Sequence, residues 1–374
     1  MDESRLFKPL KIGNIEVKQR VGMAAVSRCR ADGDHVPTEL MKQYYCQRAS
    51  VPGTLLIAEA NLVSKEQDEL LNVPGLYSVQ QTTAWKSIVD EVHTKASFIF
   101  AQLYTIGRAG YREVNDEKDF EFRGSSAIPW RADARTPNAM TPADIKETIR
   151  HFVRAAKNAM EAGFDGVEIH GANGYLIDTF IQDVSNQRDD EYGRSIENRS
   201  RFTFEVIKAV AHAIGVNRVG LRLSPWSTYQ GMRMKDDDTI SQYTDLIKKA
   251  DKLGIAYIHL IESRIAGWDD VPENGRFDFA YSIFRRAILV SGGYTAELAR
   301  KLVDEQHPDK DIAVMFGRYF TSNPDLVFKV QQNLEFTPFN EEDFIYSKSS
   351  KGYTDYPFSD EYLGSLNVLT QLLC

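Results

Sequence analysis

Short apolar runs rich in β-branched residues alternate with amphipathic stretches from near the start of the chain almost to its end. Eight runs have strand length: 20–27 (RVGMAAVS), 54–63 (TLLIAEANLV), 97–104 (SFIFAQLY), 166–170 (GVEIH), 218–224 (RVGLRLS), 256–261 (AYIHLI), 287–291 (AILVS) and 312–317 (IAVMFG). Each is nearly continuous in apolar residues, the pattern of a parallel strand covered on both faces. The stretches between them repeat at three and four residues. In 142–162, Ile145, Ile149, Phe152, Ala156 and Met160 form one stripe, Thr141 and Pro142 stand as N-cap and first-turn residue, and Gly163 supplies the stop. Comparable patterns occupy 39–48, 79–94, 195–213, 238–253, 295–306 and 323–333. This alternation, with no long linker, predicts an α/β fold: a single (β/α)8 TIM barrel over residues 1–374 rather than two domains.

Two polar, irregular stretches interrupt the alternation, 108–139 after the third strand and 263–280 after the sixth. Loops that follow barrel strands build the catalytic face, so these extended loops are expected to wall or cover a site.

Composition narrows the classes. Hydrophobic residues make up 43% of the 374, enough for a large core. The net charge of −8 argues against a broad nucleic-acid or anionic-membrane surface. No apolar run approaches the ~18 residues of a membrane span, and the opening MDESRLFKPLKIGN has no apolar signal core. Cys29, Cys46 and Cys374 are too few and too scattered for a disulfide framework or a zinc site, so a reduced, cytosolic protein is expected. HExxH, clustered Cys/His and calcium-type Asp loops are all missing from the sequence, which leaves no metal site to expect.

The richest segment is 166–202, where a buried strand runs into His170, Asn173 and Tyr175. His and Asn can each donate a hydrogen bond to one oxygen and so polarise a carbonyl or nitro group. A phenol two residues further on can deliver a proton. The same spacing also suits a His that merely ends a strand and a Tyr on the rim. Arg222 inside the apolar GLRLS is odd for a different reason, because a buried Arg is rare without a partner. The last two strands end in Gly292-Gly293 and in Gly317-Arg318. Barrels commonly hold a phosphate there on backbone N–H groups.

The segment HGANGYLIDTF…NQRDDEYGRSIENR resembles the signature of the old yellow enzyme family, and the likeness extends from LFKPLKIGN at 6–14 to KGYTDYPFS at 351–359. The resemblance implies an FMN-dependent ene-reductase. FMN would be bound noncovalently by Ala25, Val26 and Ser27 (with Ser27 in place of the usual Thr), by Ala60 and Gln102, by His170 beside the ring, by Arg222 at the edge that becomes anionic, and by Gly292, Gly293, Gly317 and Arg318 at the phosphate. It also implies that His170 and Asn173 bind substrate oxygen, that Tyr175 is the proton donor, and that Tyr104 stands where yeast members carry Trp. A C-terminal segment, about 338–374, is expected to fold back over the barrel and place Tyr353 beside the substrate. With no GxGxxG after the first strand, NADPH is expected to share the substrate's cleft in a ping-pong cycle. The stretches RASVPGTLLI and HGANGYLID resemble fungal members that act on an alkaloid aldehyde, either reducing the alkene or isomerising it. A small unsaturated carbonyl substrate and a monomer or homodimer complete the expectation. A redox-neutral isomerase and a non-flavin barrel lyase or isomerase stand as its rivals.

Overall fold

The structure is a computed structural model describing residues 4–67, 72–110, 122–267, 269–340 and 348–372. Parts of the two long loops (111–121 and 268) and of the C-terminal segment (341–347 and 373–374) lie outside the described residues. All eight expected strands form: β1 Val21–Met23, β2 Leu55–Leu62, β3 Phe98–Tyr104, β4 Gly166–Gly171, β5 Val219–Leu223, β6 Tyr257–Ile261, β7 Ala287–Ser291 and β8 Ile312–Phe316. Each pairs in parallel with its neighbours in chain order, and β8 pairs with β1 to close the barrel.

Around it lie α1 Glu39–Arg48, α2 Val79–Thr94, α3 Pro142–Glu161, α4 Ile196–Ile214, α5 Asp236–Leu253, α6 Ala296–Arg300 and α7 Leu326–Gln332. The Thr141 cap on α3 is a full capping box, in which the Asp144 carboxylate answers the Thr141 N–H. The 295–306 pattern is a short α-helix that widens into a π-helical turn over Lys301–Gln306. An antiparallel hairpin, Leu10–Ile12 with Ile15–Val17, was not expected.

Strand alternation sorts the core in two. Outward residues such as Leu56, Ile99, Val167, Leu221, Ile258 and Val314 pack under the helices. Inward residues Leu55, Ile57, Phe100, Tyr257, Leu289 and Met315 fill the barrel, and the hairpin's Leu10, Ile12, Ile15 and Val17 join them. Higher in the barrel the inward positions become polar: Gln102, Glu168, His259 and Ser291 are all buried. That change of polarity marks the site end.

Candidate active site

At the carboxyl ends of the strands lies one cleft. Ala25, Val26 and Ser27 after β1, Ala60 on β2 and Gln102 on β3 form part of its lining. His170, Asn173 and Tyr175 enter from the end of β4 and Arg222 from β5, while Gly292, Gly293, Gly317 and Arg318 close it after β7 and β8. Residues up to 293 positions apart in the chain, Ala25 and Arg318, thus line one cleft.

Local geometry explains several placements. A bulge between Ala58 and Asn61 breaks the β2–β3 register, and Ala60 within it lines the cleft. The buried Glu59 carboxylate accepts the N–H groups of Arg28 and Cys29 at 3.0 and 3.1 Å, which fixes the segment just past Ser27. After β4, Asn173 (φ 60°) and Gly174 (φ 73°) are both left-handed and turn the chain into the short helix Leu176–Ile181. Three donors hold this turn: Asn173 N–H to Ser224 Oγ at 2.8 Å, Gly174 N–H to Asp178 Oδ2 at 2.9 Å, and Leu176 N–H to Thr105 O at 3.2 Å. A Cβ on Gly174 would stand 2.9 Å from Gln230 Cβ, so the turn needs glycine.

Tyr175 lies edge-on to His170, with ring centroids 5.0 Å apart. Burial, reinforced by the positive charge of Arg222, pushes the His170 imidazole down to about 3, so it is neutral at pH 7. Its Nδ1 is buried without a hydrogen-bond partner among the described residues, as is Arg222 Nε. Among the described residues, Arg222 Nη1 reaches only Ala25 O, at 3.4 Å. Unsatisfied buried polar atoms are costly, and here they sit on side chains that line a cleft, where a polar ligand would satisfy them. At the other end of the cleft, Gly292 (φ 117°) and Gly293 (φ 62°) adopt a turn closed to other residues: a Cβ on Gly292 would meet Ile265 and Glu262 at 3.0 and 3.1 Å. Gly317 caps a short helix, and Arg318 on that helix pairs with Asp270 of the loop after β6 at 2.7 Å. These residues fit a planar polar ring over the barrel mouth with an anionic tail toward β7 and β8.

Two expected residues sit elsewhere. Tyr104 is buried behind Tyr175, its ring edge-on at 5.4 Å, and forms a second layer rather than the lining. Tyr353 is not beside the cleft. It is fully buried on the barrel's flank, stacked on Tyr44 at 4.1 Å with the Arg30 guanidinium 4.7 Å from its ring centroid. Arg48, which lies over the opposite partner Tyr44 at 3.7 Å, also donates to Tyr353 O. The described part of the C-terminal segment therefore returns to α1 and α7, where Tyr362 Oη donates to Ser50 O and Ser359 meets Asp325.

The sequence reading missed other participants. Tyr229, Tyr294 and Tyr319 line the cleft, and Arg264 Nε donates to Gly292 O at 2.9 Å and so holds the glycine turn. Beneath the lining, Glu168 and His259 are fully buried polar residues inside apolar strands. The signal that singles out Arg222 could have found both.

Fold and cleft together define a closed (β/α)8 barrel with a polar cleft at the carboxyl ends of its strands. The chain belongs to the NADH:flavin oxidoreductase / NADH oxidase family, which it matches over residues 5–337, and is of the old yellow enzyme type. It is 48% identical to a chanoclavine-I aldehyde reductase of Penicillium roqueforti, over 96% of this chain and 98% of that one. It is 44% identical to a probable inactive reductase of Epichloe festucae var. lolii, over 97% of each chain. Among solved structures, morphinone reductase superposes with a TM-score of 0.88 at 32% identity, covering 96% of this chain and 98% of that one. An old yellow enzyme from Pichia superposes with a TM-score of 0.87 at 36% identity, covering 96% and 94%. Among the described residues no helix is long and apolar enough to cross a membrane, and no group of His, Cys, Asp or Glu has a metal-binding arrangement.

Proposed function

We propose that the chain is an FMN-dependent, NADPH-driven ene-reductase for an α,β-unsaturated aldehyde or ketone. The observation that carries this is the presence on one cleft of a neutral His170, Asn173 and Tyr175 together with Gln102, Arg222 and the glycine turn. Bound FMN would supply the hydride that the alkene β-carbon receives, with NADPH as its source. Ala25, Val26, Ser27, Ala60 and Gln102 would hold the ring, and Arg318 with Gly292, Gly293 and Gly317 the phosphate. His170 and Asn173 bind the substrate oxygen by donation, drawing electron density from the alkene. Neutrality suits His170 to this task, since an imidazole N–H stabilises developing charge without competing for a proton. Tyr175 protonates the α-carbon. The likeness to a chanoclavine-I aldehyde reductase favours a fungal alkaloid-type enal as substrate.

The test begins with colour. The purified protein should carry a flavin spectrum that NADPH bleaches anaerobically and that an enal or enone restores with a saturated product. A colourless protein that gains no flavin spectrum on incubation with FMN would overturn the proposal.

A further inference from the structure

Under the cleft floor a chain of hydrogen bonds crosses the barrel. Gln102 Nε2 donates to Glu168 Oε1 at 2.7 Å, Glu168 Oε2 meets His259 Nδ1 at 2.8 Å, and His259 Nε2 meets Ser291 Oγ at 3.0 Å. Glu168 and His259 have no exposed surface, yet both ends of the chain, Gln102 and Ser291, line the cleft. Arg222 stands level with His259 on one side and with His170 on the other in the strand register.

We infer that Glu168, held by His259, is a buried counter-ion to Arg222 that sets the redox potential of the bound flavin and the hydrogen-bonding polarity of its floor. The inference rests on the FMN reading above.

Burial opposes ionisation of Glu168, but the His259 contact, the Arg222 charge and the Gln102 amide outweigh it and hold the carboxyl below the usual range. Burial pushes His259 below its usual range, and Arg222 adds to that push against the opposing pull of Glu168, so the imidazole is neutral at pH 7. A neutral His259 facing a carboxylate carries its proton on Nδ1, leaving Nε2 as an acceptor. The Ser291 hydroxyl must then donate downward to Nε2, so its lone pairs remain for the cleft. Gln102 is fixed in the same way. With an amide N–H committed to Glu168, its orientation is set and Oε1 is left as an acceptor for a ligand N–H. One anion thereby decides what two lining groups can offer.

Its charge has a second effect. An electron pair added to a ring above the barrel mouth is favoured by Arg222 and opposed by Glu168, and the buried setting strengthens both terms. Removing the negative charge leaves Arg222 uncompensated, so the flavin becomes easier to reduce and a poorer hydride donor. A purely structural role, in which Glu168 only ties β3, β4 and β6 together, predicts loss of stability without this shift.

The experiment measures the midpoint potential of FMN-loaded Glu168→Gln against wild type by anaerobic dye equilibration. A shift to more positive potential, opposite in sign to that of Arg222→Ala, is expected, with slower reoxidation by an enone. Unchanged potential in a folded, flavin-loaded Glu168→Gln would overturn the inference, as would a negative shift. Should that variant not fold, His259→Phe provides the second arm. The charged and titratable groups facing Glu168 are then Arg222 on β5, Tyr257 on β6 and His170 on its own strand. Without the imidazole N–H, Glu168 should take up a proton more readily, so the potential of His259→Phe, read against wild type at the same pH to cancel the flavin's own proton uptake, should become more positive as pH falls. A difference between the two proteins that stays constant from pH 5.5 to 9 would also overturn the inference. A wild type that binds no FMN would instead sink the functional reading beneath it.

Discussion

The two ends of this barrel are made from the same eight strands and share almost nothing else. At the amino-terminal end the interior is Leu55, Ile57, Phe100, Tyr257 and Leu289, stoppered by Leu10, Ile12, Ile15 and Val17 of the hairpin. At the carboxyl end the inward positions carry Gln102, Glu168, His170, Arg222 and His259, with orphaned buried nitrogens and left-handed residues at Asn173 and Gly174. Strain and unsatisfied donors persist only where the surrounding structure over-determines them. Here a close-packed lower half provides that support. Substitutions at the lower end should therefore change stability and spare the chemistry, and those at the upper end should do the reverse.

The largest expected effect is at the top. Tyr175→Phe should leave flavin reduction by NADPH nearly unchanged, since that half-reaction needs no proton at the α-carbon. Reoxidation by an enone should slow by about 10²–10⁴-fold, the usual loss for a general acid. Stopped-flow on both half-reactions decides it: equal enone rates in the two proteins would assign the proton to another source. The melting temperature should hardly move.

At the bottom the expectation inverts. Ile12, fully buried in the plug, should cost about 2–5 kcal/mol of stability when changed to Ala. Chemical denaturation would measure the loss, while the flavin spectrum and both half-reactions of the folded protein stay as in wild type. An altered flavin envelope would show that the two halves are coupled. Arg318→Ala should have an intermediate, purely local effect, weakening FMN retention by about 1.5–3 kcal/mol through a lost charge-assisted contact. Full flavin content after exhaustive dialysis would remove Arg318 from the phosphate site. Its pairing with Asp270 would then be its main role.

The division between the halves was unevenly legible in the sequence. The strands announce themselves because burial on both faces leaves each nearly all apolar. The cleft was legible where motif residues lie close together, as in His170, Asn173 and Tyr175. The plug was overlooked, although LKIGNIEV alternates correctly around Gly13-Asn14, because strands of three residues barely register as a period. Tyr353 was misplaced for another reason: its surroundings are Tyr44, Arg30 and Arg48, about 300 positions earlier, and nothing local in GYTDYP reports them. Glu168 and His259 failed differently again. A polar residue inside an apolar strand must point into the barrel and be paired there, which is the argument that picks out Arg222. Applied to GVEIH and AYIHLI, it would have named both members of the buried pair.

Two histidines offer the finest test of the comparison. His170, buried at the upper end, has its titration pushed down to about 3, so substrate-oxygen binding should show no imidazole inflection at neutral pH. His93 closes α2 near the lower end, where its Nε2 meets Asp165 Oδ2 at 3.0 Å just before β4. Its titration is raised, chiefly by the hydrogen bond to Asp165. A folded-state value above the unfolded ~6.5 means that the pair stabilises fully below that pH. The contribution fades as pH rises through the higher folded value. The His93 side chain is 37% exposed, so solvent screening limits the effect to about 0.2–1 kcal/mol. Asp165 also accepts the Ile99 N–H at 2.8 Å, a bond to β3 that survives loss of the imidazole. Wild type should therefore exceed His93→Ala in stability at pH 5.5 by more than at pH 9, with indistinguishable enone kinetics at both. A stability difference that stays constant or grows with pH would mean that the neutral imidazole, through packing alone, is what α2 requires.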